Sequence, residues 1–176
     1  MSKTLFFLFA ICALCSAGCQ GKAREEQLSA ATAYAEASMQ EAMEAAEESA
    51  LALCTLDFES GAEAYSDSVC ALSTNLACAL LRSEIQETWA DMQQAYAAPK
   101  MACAPSSSRL LEEGRQYGKN VQFWRVNLKG TVGFNDSDAD QVYWLQVAEE
   151  NGKWKFNRLL SQSEIALYLS MQDSKK

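Results

Sequence analysis

The chain changes character near residue 114, and this change favours a fold that places helices before a sheet. Lys22–Glu113 is rich in Ala and Glu and carries 16 acidic and five basic side chains, a net charge of −11. Gly114–Lys176 is richer in aromatic and β-branched residues and carries seven acidic and nine basic side chains, a net charge of +2. Helical patterns followed by strand patterns are typical of α+β domains. We predict N-terminal helices packed on a C-terminal twisted antiparallel sheet.

The first part of the chain contains one long predicted helix, Ala23–Leu53. This run lacks Gly and Pro and is rich in Ala, Glu, Gln and Met, which are strong helix formers. It is either the first helix of the domain, with its early turns acting as a stalk, or one helix of a close coiled coil. The stalk is favoured because small side chains permit close packing without specifying a partner. The apolar stripe of this helix consists of Leu28, Ala31, Ala35, Met39, Ala42, Ala46, Ala50 and Leu53.

Two further helices and a loop are predicted before the sheet. Val69–Leu81 is apolar and compatible with a helix. Ser83–Ala98 predicts a third helix, because Ser83 is a suitable N-cap and acidic residues follow it in the first turn. Pro99 and Pro105 bracket a predicted loop, and the serines that follow mark the start of the second layer.

Three strands are predicted in the second part of the chain, and a short helix follows them. The strands are Val121–Leu128, Val142–Ala148 and Lys153–Leu160, and the final helix runs from Ser163 to Leu169. The pair Asn151-Gly152 predicts a tight hairpin between the last two strands. In the first strand, alternation places Trp124, Val126 and Leu128 on one face and Phe123, Arg125 and Asn127 on the other.

The N-terminus has the layout of an export signal. Lys3 provides a basic start, the apolar run Leu5–Leu14 follows, and small residues lead to Cys19. The apolar run is too short to cross a bilayer, which takes roughly 20 apolar residues. The sequence Ala17-Gly18-Cys19 resembles the lipobox of bacterial lipoproteins. An ordinary secretory signal cut after Ala17 or Gly18 is the alternative.

The lipobox resemblance implies that Cys19 becomes the first residue of the mature chain and carries acyl chains such as palmitate. Two or three such chains hold a protein on a membrane. Gln20 follows the cysteine where Asp would resemble the signal for inner-membrane retention. The resemblance therefore implies a cell-envelope lipoprotein, with the periplasmic face of the outer membrane favoured where the cell has one.

The predicted organisation has three parts. Residues 1–18 form the signal peptide, residues 19–30 form a tether at the start of the stalk helix, and residues 31–176 form a single α+β domain. Within that domain we predict helices over about 31–98, a sheet over about 115–161 and a C-terminal helix over about 163–170.

Five cysteines remain once the signal is removed. An odd number in an exported protein calls for one modified or unpaired cysteine, and acylated Cys19 meets that need. The other four predict two disulfides. Of the three possible pairings we favour Cys54 with Cys70 and Cys78 with Cys103, because each joins the end of one helical segment to the next. Irregular spacing and the absence of His argue against a zinc site.

Several classes of chemistry do not fit this sequence. The net charge of −8 argues against nucleic acid, whose phosphates require a basic surface. The chain has no His, no Gly-x-Ser-x-Gly elbow and no P-loop. Asp136, Asp138 and Asp140 alternate as at the start of a calcium loop, but Gln141 and Val147 stand where that loop needs Gly and Glu. We expect a solvated turn there, no metal or other cofactor, and no enzyme.

A resemblance to a known superfamily rests on the last predicted hairpin. Val142–Phe156, and within it Glu150-Asn151-Gly152-Lys153-Trp154-Lys155-Phe156, is similar to the last hairpin of small exported proteins of the nuclear-transport-factor-like (cystatin-like) superfamily. This resemblance implies helices packed into the concave side of a curved sheet, in an envelope protein. Enzymes of the superfamily use Asp and His pairs, and this chain has no His, so their chemistry is not implied.

The predicted function is non-enzymatic binding of a protein partner or a small ligand through one face of the sheet. Exposed aromatic patches mark such surfaces, whereas coverage of both faces by helices is the alternative. A structural or assembly subunit of an envelope or secretion complex, self-associating or binding a partner through the Ala-rich helix, is the second hypothesis. The candidate surface residues are Phe123, Trp124, Arg125, Tyr143, Trp144, Lys153 and Lys155.

Overall fold

The computed structural model describes residues 5–96, 98–133 and 140–173, with side chains for residue 29 and for 31–96, 98–133 and 140–171. The chain divides into two units, Met1–Gln40 and Glu41–Lys176. The observed α+β architecture confirms the predicted fold class. Its elements in chain order are α1 Leu5–Cys54, β1 Leu56–Asp57, α2 Gly61–Ala71, α3 Asn75–Ala95, β2 Lys100–Gln116, β3 Lys119–Val132, β4 Asp140–Glu150, β5 Lys153–Leu159 and α4 Gln162–Asp173.

Helix α1 confirms the predicted helix over Ala23–Leu53 and extends beyond it at both ends. Within the second unit its small residues lie at steps of four, and Ala42, Ala46 and Ala50 are completely buried against the sheet. Methyl groups at these positions let the helix backbone approach the strands closely. The side chain of the predicted acylation site, Cys19, lies outside the described residues, as do the side chains of the predicted signal peptide.

No helix in the described part of the chain combines the length and apolar composition that crossing a bilayer requires.

Helices α2 and α3 correct the prediction of a continuous helix over Val69–Leu81. The helix breaks after Ala71, and α3 begins at Asn75, capped by Thr74, whose side chain accepts a hydrogen bond from the backbone N–H of Ala77. Ser83, the predicted N-cap, lies inside α3. The break between α2 and α3 is explained by hydrogen bonds from this turn to the sheet.

The α2–α3 turn is fastened to the edge of β5. The backbone N–H of Thr74 donates to the carbonyl oxygen of Phe156 at 2.8 Å. The backbone N–H of Phe156 donates to the carbonyl oxygen of Leu72 at 2.9 Å. These bonds satisfy backbone groups that a continuous helix would leave unpaired along the β5 edge. They also bring the first turn of α3 next to the sheet.

The sheet has five antiparallel strands in the order β1-β2-β3-β4-β5. Strand β2 corrects the predicted loop between Pro99 and Pro105, because this segment pairs with β3 along almost its whole length. Pro105 is tolerated since β1 pairs only with Lys100 and Met101, which leaves the outer side of β2 without a sheet partner there. The pairing of β2 with β3 is irregular just after Pro105.

Two tight turns close the β2–β3 and β4–β5 hairpins. Asn151 and Gly152 have φ angles of 55° and 71°, which confirms the predicted Asn-Gly hairpin. Tyr117 and Gly118 form a similar turn between β2 and β3, with φ angles of 50° and 80°. The β3–β4 connection, which contains the predicted turn at Asn135–Asp138, lies outside the described residues.

The two faces of the sheet are covered differently. Trp124, Val126 and Leu128 lie under α1, as predicted from their alternation. Phe123 lies on the opposite face with Val121, where Ile165 and Tyr168 of α4 pack on them. A third cluster joins α2 and α3 to the β1 edge of the sheet; its buried members are Leu56, Tyr65, Val69, Ile85, Trp89 and Met101.

The four described cysteines form two disulfides, as predicted, but the predicted pairing is wrong. Cys54 pairs with Cys103 across a Cα separation of 6.0 Å, and Cys70 pairs with Cys78 across 4.7 Å. The end of α1 lies beside β2, where Leu56 pairs with Met101, and this proximity joins Cys54 to Cys103. The tight turn between α2 and α3 brings Cys70 close to Cys78.

Candidate functional site

The predicted aromatic surface is divided between the two faces of the sheet. Trp124 is 3% exposed and Tyr143 packs against the same cluster under α1. Phe123, on the other face, is 6% exposed, and its ring centroid lies 6.2 Å from that of Tyr168 in α4. The structure thus corrects the expectation that Phe123 and Trp124 present an open patch. Helices cover both of them.

The remaining predicted residues share the face that carries α4. The strand pairings place Arg125 opposite Trp144, Lys155 opposite Ala148, and Lys153 opposite Glu150. Lys153 is exposed, whereas Arg125, Trp144 and Lys155 are half-buried. The chemistry available on this face is therefore cationic and polar, with little exposed aromatic surface.

Helix α4 is held on this face by a capping box and an ion pair. The Ser161 hydroxyl accepts a hydrogen bond from the backbone N–H of Glu164, and the Glu164 carboxylate accepts one from the N–H of Ser161 at 2.8 Å. The two terminal nitrogens of Arg158, Nη1 and Nη2, donate to that carboxylate at 2.8 and 2.6 Å. This Arg158 pair, together with the Ser161 contacts, lowers the pKa of Glu164 to about 2. The carboxylate therefore stays charged at any physiological pH.

A cavity of about 520 Å³ opens between the start of α3, the β2–β3 turn and the sheet. This volume falls in the range of small-molecule sites, roughly 300–1,000 Å³. Leu76 and Leu80 of α3 are 69% and 64% exposed, and Tyr117 is fully exposed. The cavity is lined by Thr74, Leu76, Leu80, Gln116, Tyr117, Lys119, Val121, Gln146, Ala148, Asn157 and Arg158.

A directed chain of hydrogen bonds runs across the cavity wall. The Thr74 hydroxyl donates to Asn157 Oδ1 at 3.1 Å, and Asn157 Nδ2 donates to Gln146 Oε1 at 2.6 Å. Gln146 Nε2 then donates to Gln116 Oε1 at 3.0 Å. Because Gln146 is completely buried, its amide is oriented by these neighbours and not by solvent. These hydrogen bonds link the N-cap of α3 to β5, β4 and β2, and they fix the orientation of the polar groups of the cavity.

The charges at the rim of the cavity are already paired. Lys119 Nζ lies 2.7 Å from Glu150 Oε1, and Glu150 Oε2 accepts the backbone N–H of Asn75 at 3.1 Å. The hydrogen bond from Lys119 is the main reason that the pKa of Glu150 lies below its usual value. Arg158 is paired with Glu164. The cavity thus combines an apolar wall with amide groups and a neutralised rim.

A smaller cavity of about 270 Å³ lies between α4 and the β2–β3 hairpin, and it shares Gln116 and Val121 with the larger one. The Tyr168 hydroxyl closes part of this region by donating to Glu112 Oε2 at 2.7 Å. Within the described residues, no group of three or more Cys, Asp or Glu side chains is placed to hold a metal ion.

Sequence reasoning missed the residues that form the larger cavity. One available signal was the leucine content at the start of α3, where Leu76, Leu80 and Leu81 are too many for a single buried stripe. Leu81 packs inward with the core, whereas Leu76 and Leu80, one turn apart, face outward. Gln146 carried no comparable signal, because a polar residue in a strand is ordinarily assigned to a solvated face.

Comparisons with known proteins assign no family to this chain. No protein-family model matches it, and no curated protein matches it. Among solved structures it is similar to one described as "Structure of a periplasmic fragment of TraM", with a TM-score of 0.49 and 13% sequence identity over 70% of this chain and 96% of that one. A likeness this shallow carries no argument about function.

Proposed function

We propose that this protein is an exported, lipid-anchored binding protein that holds a small amphipathic molecule in the cavity between α3, the β2–β3 turn and the sheet. The observation that carries the proposal is the cavity itself. Leu76 and Leu80 are left largely exposed beside polar groups that are held in fixed orientations. Exposed leucines next to preorganised amides match a ligand with an apolar body and a hydrogen-bonding group.

The chemistry of the lining favours binding over catalysis. Its charged members, Lys119 and Arg158, are engaged in ion pairs with Glu150 and Glu164. Its other polar members are amides and hydroxyls, which position ligands but are weak acids and bases. The proposed ligand is accordingly uncharged in the part that enters the cavity.

Export is supported by the two disulfides together with the N-terminal signal pattern. Disulfides form and persist in oxidising compartments such as the bacterial periplasm. The four cysteines of the domain pair with one another, which leaves Cys19 as the odd cysteine after the predicted cleavage. Acylation of Cys19 gives that cysteine a role and anchors the domain to a membrane, the outer membrane being favoured.

The anchor predicts a specific mass. Protein purified from its native membrane fraction without reduction is expected to have the mass of residues 19–176 plus acyl chains, less two hydrogens for each of the two disulfides. Intact mass spectrometry measures this directly, and a reduced sample serves as the control for the disulfide term. A chain that begins at Gly18 or Cys19 and carries no lipid contradicts the anchor but leaves the cavity proposal standing.

The cavity predicts the effect of placing a charge among its leucines. Leu76→Glu and Leu80→Glu are each expected to weaken binding of the amphipathic probe 8-anilinonaphthalene-1-sulfonate by about tenfold, since burying apolar surface of the size of a leucine contributes roughly 1.5–3 kcal/mol. Fluorescence titration measures the probe, and circular dichroism verifies the fold. Leu169→Glu is the matched control, because Leu169 is also an exposed helical leucine, 45% accessible, outside the cavity lining. Equal weakening in all three variants, or none, would rule out the cavity as the site.

Assembly through the Ala-rich helix remains a second candidate. In the first unit, Tyr34 is 73% and Met39 is 45% exposed. Ala31, Ala35 and Met39 lie at steps of four, so an apolar stripe of the helix is accessible over these residues. It ranks below the cavity because a stripe of mostly small residues specifies no partner.

A further inference from the structure

The face of the sheet that carries α4 also carries a row of cations that the proposed cavity does not use. Strand pairing sets Arg109 of β2 opposite Arg125 of β3, and Arg125 opposite Trp144 of β4. In the next row, Asn127 Nδ2 donates to Ser107 Oγ at 2.8 Å, which places Ser107 and Asn127 on the same face. Residues two apart in a strand share a face, so Arg109 and Arg125 lie side by side above the same surface.

Two like charges directly opposite each other are unfavourable unless something neutralises them. Among the described residues, no carboxylate lies within ion-pairing distance of Arg109 or Arg125. Arg82 and Arg158 each pair with a carboxylate, and Arg115 donates a hydrogen bond to the carbonyl oxygen of Gly118. The pair at Arg109 and Arg125 is therefore an uncompensated concentration of positive charge in a chain whose net charge is negative.

Arg125 is also held in a fixed orientation. Its guanidinium carbon lies 5.3 Å from the centroid of the Trp144 ring, and stacking of this kind fixes the plane of the guanidinium. Its Nε atom is buried and has no hydrogen-bond partner among the described residues. Buried N–H groups are rarely left unpaired in native proteins. The strand register sets this oriented arginine opposite a second arginine, which indicates a site that an external acceptor completes.

We propose that Arg109 and Arg125 form an oxyanion site that binds the phosphate group of a ligand. Phosphate near neutral pH carries up to two negative charges and several acceptor oxygens, which match two guanidinium groups with their planar sets of donors. A single carboxylate would neutralise only one of the two. Arg109 is exposed and Arg125 is half-buried, and a ligand reaches them at their terminal guanidinium nitrogens, because Arg125 Nε itself is buried. Neither arginine lines the larger or the smaller cavity, so this site does not depend on the proposed function.

The test is a titration of the detergent-solubilised full chain with inorganic phosphate. The readout is the ¹⁵N–¹H resonance of Arg125 Nε, measured by nuclear magnetic resonance. Binding is expected to move this resonance because phosphate contacts the terminal nitrogens of the same guanidinium, with a dissociation constant of roughly 1 mM or tighter. Arg125→Gln and Arg109→Gln are each expected to weaken phosphate binding, measured by calorimetry, by about tenfold. Arg125→Lys, which keeps the charge but loses the stacked fork, is expected to weaken it by a smaller factor.

Arg82→Gln is the matched control, because it removes the same charge from an exposed arginine that is paired with Asp67 on another part of the domain. This variant is expected to bind phosphate as the unaltered chain does. An Arg125 Nε resonance that does not move up to roughly 10 mM phosphate overturns the site, as does equal weakening by Arg82→Gln. The latter result would show only a response to total charge.

A second arm distinguishes the source of the phosphate group. Vesicles of phosphatidylglycerol in phosphatidylcholine are added to the chain, with pure phosphatidylcholine vesicles as the control. A lipid ligand is indicated if the anionic vesicles move the Arg125 Nε resonance and inorganic phosphate competes with them. A soluble phosphate compound is indicated if inorganic phosphate alone moves it. Both results support the site and differ only in what occupies it.

Discussion

Trp124→Ala is expected to lower the free energy of unfolding by about 3–5 kcal/mol, the usual cost of truncating a large aromatic side chain in a core. Trp124 is 3% exposed and belongs to the cluster that packs the sheet under α1. Its indole N–H donates to Gln122 Oε1 at 3.2 Å, and Gln122 is itself buried. The substitution therefore creates a void and also leaves a buried amide oxygen without its donor.

Urea unfolding followed by far-ultraviolet circular dichroism measures this loss. Tyr117→Ala is the matched control, because Tyr117 is a fully exposed aromatic residue in the β2–β3 turn, and its truncation is expected to change stability by less than about 0.5 kcal/mol. A loss below about 1 kcal/mol for Trp124→Ala would contradict its place in the core. Such a result would instead favour the sequence-based prediction that Trp124 belongs to a partner-binding surface.

Removal of the Cys54–Cys103 disulfide is expected to cost more stability than removal of the Cys70–Cys78 disulfide. The two bonds join residues 49 and eight positions apart. Restricting the unfolded chain through these loops contributes about 4 and about 2.5 kcal/mol respectively in the chain-entropy description. The double variants Cys54→Ala with Cys103→Ala, and Cys70→Ala with Cys78→Ala, separate the two contributions when each is unfolded with urea.

Each double variant is the control for the other, since both remove two half-buried or buried sulfurs and differ in the length of chain they release. Mass spectrometry of a proteolytic digest without reduction verifies that the remaining disulfide is still formed. A larger loss for the Cys70–Cys78 pair would contradict the entropic reason. In a digest of the unaltered chain, linked peptides that join Cys54 to Cys70 would contradict the observed connectivity itself.

The Cys70–Cys78 disulfide has a second consequence, for the proposed binding site. It closes the turn that contains Thr74, and Thr74 both caps α3 and begins the hydrogen-bond chain to Asn157. The leucines of the cavity, Leu76 and Leu80, lie in the first turns of the same helix. The Cys70–Cys78 disulfide thus helps to keep Leu76 and Leu80 in place beside the hydrogen-bonded amides of the cavity.

Local patterns in the sequence were sufficient for several elements. The Ala-rich run predicted α1 because it contains no helix breaker, and Asn151-Gly152 predicted its hairpin because both residues adopt the positive φ angles that the turn needs. Alternation in β3 assigned Trp124 and Phe123 to opposite faces of the sheet. Each of these signals acts between residues a few positions apart.

The failures share a different cause. The residues of Val69–Leu81 predict one helix because all are compatible with one, but backbone hydrogen bonds that Leu72 accepts from Phe156 and that Thr74 donates to Phe156 interrupt it. The segment after Pro99 was predicted as a loop because Pro breaks regular structure, but an edge position in the sheet accommodates Pro105. In both cases a partner about 20 to 80 residues away decided the local conformation.

The order of the layers, the faces of the residues in β3 and the number of disulfides follow from periodicity, turn chemistry and cysteine count, which are properties of short stretches or of composition. The pairing of the cysteines, the coverage of both faces of the sheet by helices and the meeting of Leu76 and Leu80 with Gln146 at one cavity follow from tertiary packing. These features depend on which distant segments come into contact. Local sequence patterns do not predict which distant segments meet, since these contacts depend on how all the elements pack together.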